Sequence, residues 1–329
     1  MNKRMIRSCF IVLALASAFL FFPSINQAAS VDYPTRPIEV VVHTAPGGLV
    51  DIVPRIVNPI LSEILGVPLI IQNKPAGSGA AGIESVIKAK PDGYTILSVS
   101  ENALTLLPLI NPDLSFTYKN LHHIAFCAFG PNVIIVHPDS PFKTLQELLD
   151  FAKSNPGKLT YGSTGAAHVS RVSMELIIKK AGVQIAHIPY QGGGPLKTAI
   201  LGKQTDVACD TIAAVSTLIK AGNLRALAVC SDQRFEEFPQ VPTTVELGYP
   251  NSAFPGYVGY SAPLKTPLPI IDKLDQAIKK TLANPKVADQ MKKVSLTVSY
   301  KSSDAVNQSF ERTNRILSEW VKEAGLSKK

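Results

Sequence analysis

A two-lobed α/β fold is predicted by three features of this 329-residue sequence. Short β-branched runs alternate with helical patterns, glycine-rich turns lead from several of these runs into helices, and the chain exceeds what one hydrophobic core usually fills. Alternation of the βαβα kind predicts, in each lobe, a mostly parallel sheet flanked by helices.

The first residues, MNKRMIRS, carry three positive charges and no acid, and an apolar run from Cys9 to Phe22 follows. Pro23 and the small residues Ala28-Ala29-Ser30 complete the pattern of a secretory signal peptide over residues 1–29, cleaved near residues 28–30. The apolar run is short of the ~20 residues that span a bilayer. Cys9 stands at the start of the run and not at its exit, so it cannot serve as a lipoprotein cleavage cysteine. An exported, periplasmic protein is expected.

Beyond that leader, IEVVV (Ile38–Val42) leads through Ala45-Pro46-Gly47-Gly48 into DIVPRIVNPILSEIL, and PLIIQ (Pro68–Gln72) leads through a glycine turn into IESVIKA. TILSVS (Thr95–Ser100) follows the turn Pro91-Asp92-Gly93, and VIIVH (Val133–His137) precedes TLQELLDFAKSN. LTYGS, the helix SRVSMELIIKKAG, QIAHIPY, the helix PLKTAILG, TDVACD and LRALAVCS come next, and two long helices lie around Ile270–Leu282 and Ala305–Ala324. This order predicts a first lobe over residues 30–130 and 239–329 and a second over 131–238.

The formal charge of +8 includes Lys3, Arg4 and Arg7 of the leader, and the remaining excess is spread along the chain. Runs such as Lys179-Lys180 and Lys279-Lys280 read as solvated helix ends, so no nucleic-acid partner is expected. Cys127, Cys209 and Cys230 are too few and too widely spaced for a disulfide framework. Their apolar strand-like settings predict buried free thiols, with a Cys209–Cys230 bridge as the alternative.

Gly77, Gly79 and Gly82 in PAGSGAAG spell G-x-G-x-x-G, the spacing of a dinucleotide pyrophosphate loop. Context removes that reading. Asn73-Lys74-Pro75-Ala76 separates strand from glycines, and neutral Ser98 and Ser100 stand where the ribose-binding acid belongs. These glycines are expected to line or shape a cleft, and no cofactor is expected.

In open parallel sheets, ligands bind outside the carboxyl ends of the strands. Thr44–Gly48, Gly77–Gly79, Gly162–Gly165 and Gln191–Pro195 each open a helix there with glycines or hydroxyls. Four bare helix N-termini facing one cleft would suit an anion. No G-x-S-x-G or H-E-x-x-H is present, and His122-His123 is the closest histidine pair, so no metal site is expected. Asp210, ending TDVACD, either closes a hydrogen-bond network at the hinge or contacts a ligand's hydroxyl or amine.

The stretches YPTRPIEVVVHTAPGGLVDIVPRIV and QNKPAGSGAAGIESVIKAKPDGYTIL closely resemble the opening of mature Bug-type extracytoplasmic solute receptors, the substrate-binding proteins of tripartite tricarboxylate transporters. The resemblance continues through PNVIIVHP, PGKLTYGS, HIPYQGGGP, LRALAVCS and VPTTVELGYP. It implies a type II periplasmic binding protein, a monomer that closes on a small carboxylate and delivers it to membrane permease subunits without catalysing a reaction. By position it assigns Pro46, Gly47, Gly48, Asp51 and Ser100 to the first-lobe side of the cleft. It assigns Ser163, Thr164, Gly165, Tyr190, Gly193 and Asp210 to the second.

The sequence departs from the family at two of these positions. Counting back from Glu175-Leu176, the usual histidine position holds Arg171 and the usual Ser/Thr position holds His168. Arg171 is either a bidentate fork for the ligand or a surface residue on a first helical turn. His168 at a helix start would hydrogen-bond ligand when neutral. Thr44 and Tyr257 stand where relatives often carry bulkier aromatics. A different class of function on the same scaffold is an exported hydrolase using Ser163 or Thr164 with His168. A receptor feeding a sensor rather than a permease would leave no trace in the chain.

Overall fold

The computed structural model describes residues 32–326 apart from 45, 112, 166–167, 191 and 255. The expected signal peptide, residues 1–29, lies outside the described residues. The first elements are β1 (Ile38–Val42), α1 (Leu49–Leu65), β2 (Leu69–Asn73), α2 (Ala80–Ile87), β3 (Thr95–Ser100), α3 (Glu101–Ile110) and β4 (Leu121–Phe129). There follow β5 (Asn132–Val136), α4 (Leu145–Ser154), β6 (Leu159–Ser163), α5 (Val169–Ala181), β7 (Ile185–Pro189), α6 (Gly193–Leu201), β8 (Val207–Thr211), α7 (Ile212–Lys220) and β9 (Arg225–Val229). The last are β10 (Tyr257–Pro263), α8 (Leu268–Leu282), α9 (Pro285–Lys293), β11 (Thr297–Ser302) and α10 (Ser303–Glu323).

Two sheets form, in the orders β11-β4-β10-β3-β1-β2 and β7-β6-β8-β5-β9. Both are mixed, which corrects the expectation of mostly parallel sheets. β1 runs parallel to β2 and β3, and β6 runs parallel to β7 and β8. β10 is antiparallel to β3 and β4, β11 to β4, and β5 to β8 and β9. Parallel neighbours need a helical crossover within one sheet, which the β1–β3 and β6–β8 stretches supply. Between β4 and β5 stand only Gly130 and Pro131, so the chain passes from one sheet into the other with no crossover.

At that passage the outgoing chain meets the returning one. Gly130 N–H donates to the Gly256 carbonyl at 3.4 Å. A Cβ on Gly256, whose φ is +68°, would fall 2.6 Å from the Gly130 carbonyl, and one on Gly130 would fall 2.7 Å from Leu296. Neither position admits a side chain without displacing backbone or core.

In the first sheet, one face packs on α1, α8 and α9 through Val40, Val42, Val53, Val57, Leu274 and Met291. Its other face packs on α2, α3 and α10, and this apolar cluster continues under α6 and α7 of the second sheet. The remaining face of the second sheet is covered by α4 and α5. Cys127, Cys209 and Cys230 are buried free thiols.

Helix α1 buries Val50, Val53, Val57 and Leu61, a spacing that keeps them on one face. Pro54 lies inside it and has no N–H to give the Val50 carbonyl one turn back. Ser98 on β3 replaces that donor, its hydroxyl reaching the Val50 carbonyl at 2.8 Å. The first turn of α1 is thereby tied to the sheet.

Ser98→Ala should cost about 1–3 kcal/mol, the range for a buried acceptor left unmade. Pro54→Ala restores an N–H at that position, so the double variant should recover most of the loss. Denaturant unfolding of the four proteins measures this coupling. Additive effects would show that the two residues act independently.

Candidate ligand-binding site

The loop between β1 and α1 is built around one carboxylate. Pro46, Gly47 and Gly48 are exposed, Gly47 has φ +91°, and Gly48 opens α1 without a side-chain cap. Asp51, only 1% exposed, folds back under them. Its Oδ2 accepts Gly47 N–H and Arg55 Nε, each at 2.8 Å, and its Oδ1 accepts Arg55 Nη2 and Asn73 Nδ2, each at 2.9 Å. Asn73 Nδ2 also donates to the Thr44 carbonyl at 3.0 Å. Burial alone would raise the Asp51 pKa, but Arg55, Asn73 and the Gly47 N–H together hold it below the usual carboxylate range. Four bonds fill the acceptor sites of this carboxylate. Asp51, expected as a ligand contact, shapes the loop.

Ser100 ends β3 and opens α3, again with no side-chain cap. The next residue, Glu101, is buried and accepts the Thr313 hydroxyl at 2.9 Å, which fastens α3 to α10. Burial pushes the Glu101 carboxyl up, against the pull of hydroxyls from Ser309 and Thr313. Nearby on the chain, Thr44 Oγ1, Asn102 Oδ1 and both ring nitrogens of His43 are buried without a partner. Desolvation lowers the His43 pKa to about 4, so the ring is neutral.

PAGSGAAG has its structural reason here. Gly79 opens α2 with φ +95°, and a Cβ on it would fall 2.6 Å from both His43 Nδ1 and the His43 carbonyl. A Cβ on Gly82 would fall 2.7 Å from the Lys74 carbonyl. The spacing seats α2 against the end of β1.

The second sheet gathers most of the remaining candidates. Ser163 ends β6, fully buried; its hydroxyl lies 3.0 Å from the Gly165 carbonyl and 2.7 Å from His187 Nε2. The hydroxyl has one proton to give to the Gly165 carbonyl or to the ring, and the tautomer of His187 sets which. Desolvation pulls the His187 pKa down to about 4.

Thr164 Oγ1 lies 3.1 Å from Ser170 Oγ, and Ser170 Oγ is 3.0 Å from His168 Nδ1. His168 caps α5 by accepting Ser170 N–H at 3.2 Å, and burial lowers its pKa to about 4. The pairing that the hydrolase reading needs is therefore not assembled. Ser163 is committed to His187, and Thr164 reaches His168 only through Ser170.

Two backbone bonds join the neighbouring loops: Tyr190 N–H to the Ser163 carbonyl at 3.0 Å, and Gly192 N–H to the Thr164 carbonyl at 3.1 Å. Gly193 then opens α6, and a Cβ there would fall 3.1 Å from Asp210 Oδ2. Asp210 is 2% exposed; Oδ1 accepts Thr211 N–H at 2.7 Å, while Oδ2 has no partner. Burial pushes its pKa up to about 6.

Arg171 lies on α5. Its Nε is 3.4 Å from Glu175 Oε1, and its guanidinium lies 5.5 Å from the Trp320 ring centroid on α10. Glu175 also accepts the Tyr161 hydroxyl at 2.5 Å. Arg171 thus joins α5 to α10.

Ser163, Thr164, Gly165, His168, Tyr190, Gly193 and Asp210 thus form one connected set, and Pro46, Gly47, Gly48 and Asp51 form another. Contacts between the two halves lie at the passage and further along the helices. Leu49 of α1 packs near Gly130, Ile212 N–H of α7 donates to the Pro131 carbonyl at 2.8 Å, and Val169 and Val172 of α5 pack with Leu106 of α3. A groove of about 740 Å³ beside β9 and one of about 310 Å³ between α5 and α10 lie away from these loops. Sequence reasoning did not single out His43, Arg55, Asn102, Ser170 or His187. The i,i+4 spacing of Asp51 and Arg55 was the one available signal.

Among the described residues, no cluster of three or more His, Cys, Asp or Glu side chains is placed to hold a metal ion. Nor is any helix among them long and apolar enough to cross a membrane.

Residues 53–326 match the tripartite tricarboxylate transporter family receptor. A UPF0065 protein of Bordetella pertussis is 36% identical over 260 residues, covering 79% of this chain and 80% of that protein. Protein BugT of the same organism is 32% identical over 287 residues, covering 84% of this chain and 86% of BugT. Among solved structures, the periplasmic binding protein BugD has a TM-score of 0.75 at 30% identity, over 90% of this chain and 100% of BugD. MatC from Rhodopseudomonas palustris with bound malate has a TM-score of 0.74 at 25% identity, over 87% of this chain and 99% of MatC. The two-lobed α/β architecture is that of these proteins, and the chain belongs to the tripartite tricarboxylate transporter receptor family.

Proposed function

We propose that this chain is a periplasmic receptor that captures a small organic acid between its two lobes and delivers it to the membrane permease of a tripartite tricarboxylate transporter. The observation that carries the proposal is the connected rim of Thr164, Gly165, Tyr190 and Gly193 at the starts of α5 and α6. Helix starts offer backbone N–H groups and the positive end of the helix dipole to an anion. The bound malate of MatC supports a carboxylate as that anion.

In this reading residues 30–130 and 239–329 form one lobe and 131–238 the other. The carboxylate takes hydrogen bonds from both, Pro46, Gly47, Gly48 and Ser100 on one side and the Thr164 rim on the other. Asp51 and Ser163 hold the loops in shape, and His168 fixes the start of α5. The ligand drives closure by binding the closed state better than the open one. The protein acts as a monomer, leaves its ligand chemically unchanged and needs no cofactor.

A thermal-shift screen of dicarboxylates and aromatic acids tests the proposal. Ligand at a hundred times its Kd should add about 2.7 kcal/mol, a rise of several degrees in Tm. Turnover of an ester or amide that Ser163→Ala abolishes, with no acid raising Tm, would overturn it. Thr164→Ala should weaken the acid about ten- to a hundred-fold, the range for a bond to a charged group, with Tm little changed. Unchanged affinity by calorimetry would remove Thr164 from the site.

Asp51 makes a separate prediction for stability. Its folded pKa is depressed, so its contribution is present above the unfolded value near 3.9 and is lost as pH falls through the folded value. Asp51→Asn should be about 1–3 kcal/mol less stable than the parent at pH 7. The gap should narrow below about pH 4. Urea unfolding at pH 7 and pH 3 checks both; a gap that does not change with pH would rule out the charged network as its source.

A further inference from the structure

Building on the carboxylate-receptor reading, we infer that Asp210 selects acids bearing a hydrogen-bond donor, a hydroxyl or an ammonium, on the carbon next to the bound carboxylate. The inference starts from an oxygen with nothing to bind. Asp210 is 2% exposed, Oδ1 is satisfied by Thr211 N–H at 2.7 Å, and Oδ2 has no partner. An ionised carboxylate only accepts, and a buried acceptor without a donor is costly, more so when charged. Burial raises the pKa to about 6, which still leaves the group mostly ionised at neutral pH. The cation that acts on it is Lys197, through space and without an ion pair.

Asn would fill the same volume without burying a charge. The charge is instead aimed at a helix start. Gly192 precedes α6 with no side-chain cap, and Oδ2 lies 3.1 Å from where a Cβ on Gly193 would stand. The opening of α6 therefore presents two unlike features side by side: backbone N–H groups that want an anion, and an acceptor that wants a donor.

A bare carboxylate seated there meets the Asp210 charge at close range and is repelled. A 2-hydroxy or 2-amino acid satisfies both features, its carboxylate on the N–H groups and its hydroxyl or ammonium on Oδ2. Gly193 keeps the space between them clear. Without such a ligand the buried oxygen stays unpaired.

Calorimetry on the purified protein tests this with matched acids: succinate, malate and aspartate; glutarate, 2-hydroxyglutarate and glutamate; propionate, lactate and alanine; phenylacetate, mandelate and phenylglycine. Within the series that binds, a donor-bearing acid should bind about ten- to a hundred-fold more tightly than its plain partner. Malate against aspartate, and their counterparts, separates hydroxyl from ammonium. Asp210→Asn should reduce that preference to about twofold or reverse it, because the amide can turn an N–H toward the ligand. Gly193→Ala, at a helix position that favours alanine, places a methyl against Oδ2 and should narrow the same preference.

Tm values of both variants report whether they fold, and Asp210→Asn should not be less stable, since it removes an uncompensated buried charge. Binding of no acid in any series overturns the carboxylate-receptor reading itself. Equal affinity for plain and donor-bearing acids overturns this inference alone. A donor preference that survives Asp210→Asn overturns its assignment to Asp210.

Discussion

Two strands of chain pass one another at Gly130 and Gly256 with no room for a side chain on either, and the rest of the molecule is arranged around that contact. The Gly130 carbonyl sits where a Cβ on Gly256 would go, and Leu296 occupies the corresponding place on Gly130. β4 and β5 can therefore run almost end to end from one sheet into the other. α1 and α7 both begin against this passage, through Leu49 and through the bond from Ile212 to Pro131. The cost falls on sheet order, because strands entering without a crossover run against their neighbours and leave both sheets mixed.

Within the site, polar groups divide by whether the fold already uses them. Asp51, Ser163, Ser170 and His187 are fully engaged and give the loops their shapes. Thr44, Asn102, His43 and Asp210 keep buried atoms without partners, and they stand at the carboxyl ends of β1, β3 and β8 or just beyond. A protein core rarely leaves such atoms unpaired. Asn58, His123, Ser173 and Thr244 carry such atoms elsewhere in the fold, so the property is shared by the site and not confined to it.

The sequence made the βαβ stretches legible because their strands are short, β-branched and followed by amphipathic helices. β1, β3 and β6 fall where IEVVV, TILSVS and LTYGS stand. β4 and β10 were not read as strands, because both are covered on both faces and lack the alternation that marks a half-exposed strand. β11 does alternate, with Val298 and Tyr300 among polar residues, and was legible in principle. At the site, the glycine loops were readable from composition, whereas the pairing of Ser163 with His187 depends on strand register. Ser163 faces Pro189 and His187 faces Tyr161, so residues 24 apart become diagonal neighbours only once β6 and β7 align. Resemblance by position placed Asp51 at the cleft and left Arg171 as a ligand fork or a surface residue; the geometry adds the bonds of Asp51 to Arg55 and Asn73 and the contacts of Arg171 with Glu175 and Trp320.

That last contact also makes the molecule easy to observe. Trp320 is the only tryptophan in the chain, and it is buried where α10 of the first sheet meets α5 of the second. A guanidinium lies over its ring, and the Lys179–Glu323 pair, 2.6 Å apart, closes the same seam one turn further on. Any change in the spacing of these helices alters the polarity and quenching around one indole. The single tryptophan, excitable at wavelengths where the nine tyrosines absorb little, sits at the boundary between the sheets, so the separation of those helices can be followed optically without a label.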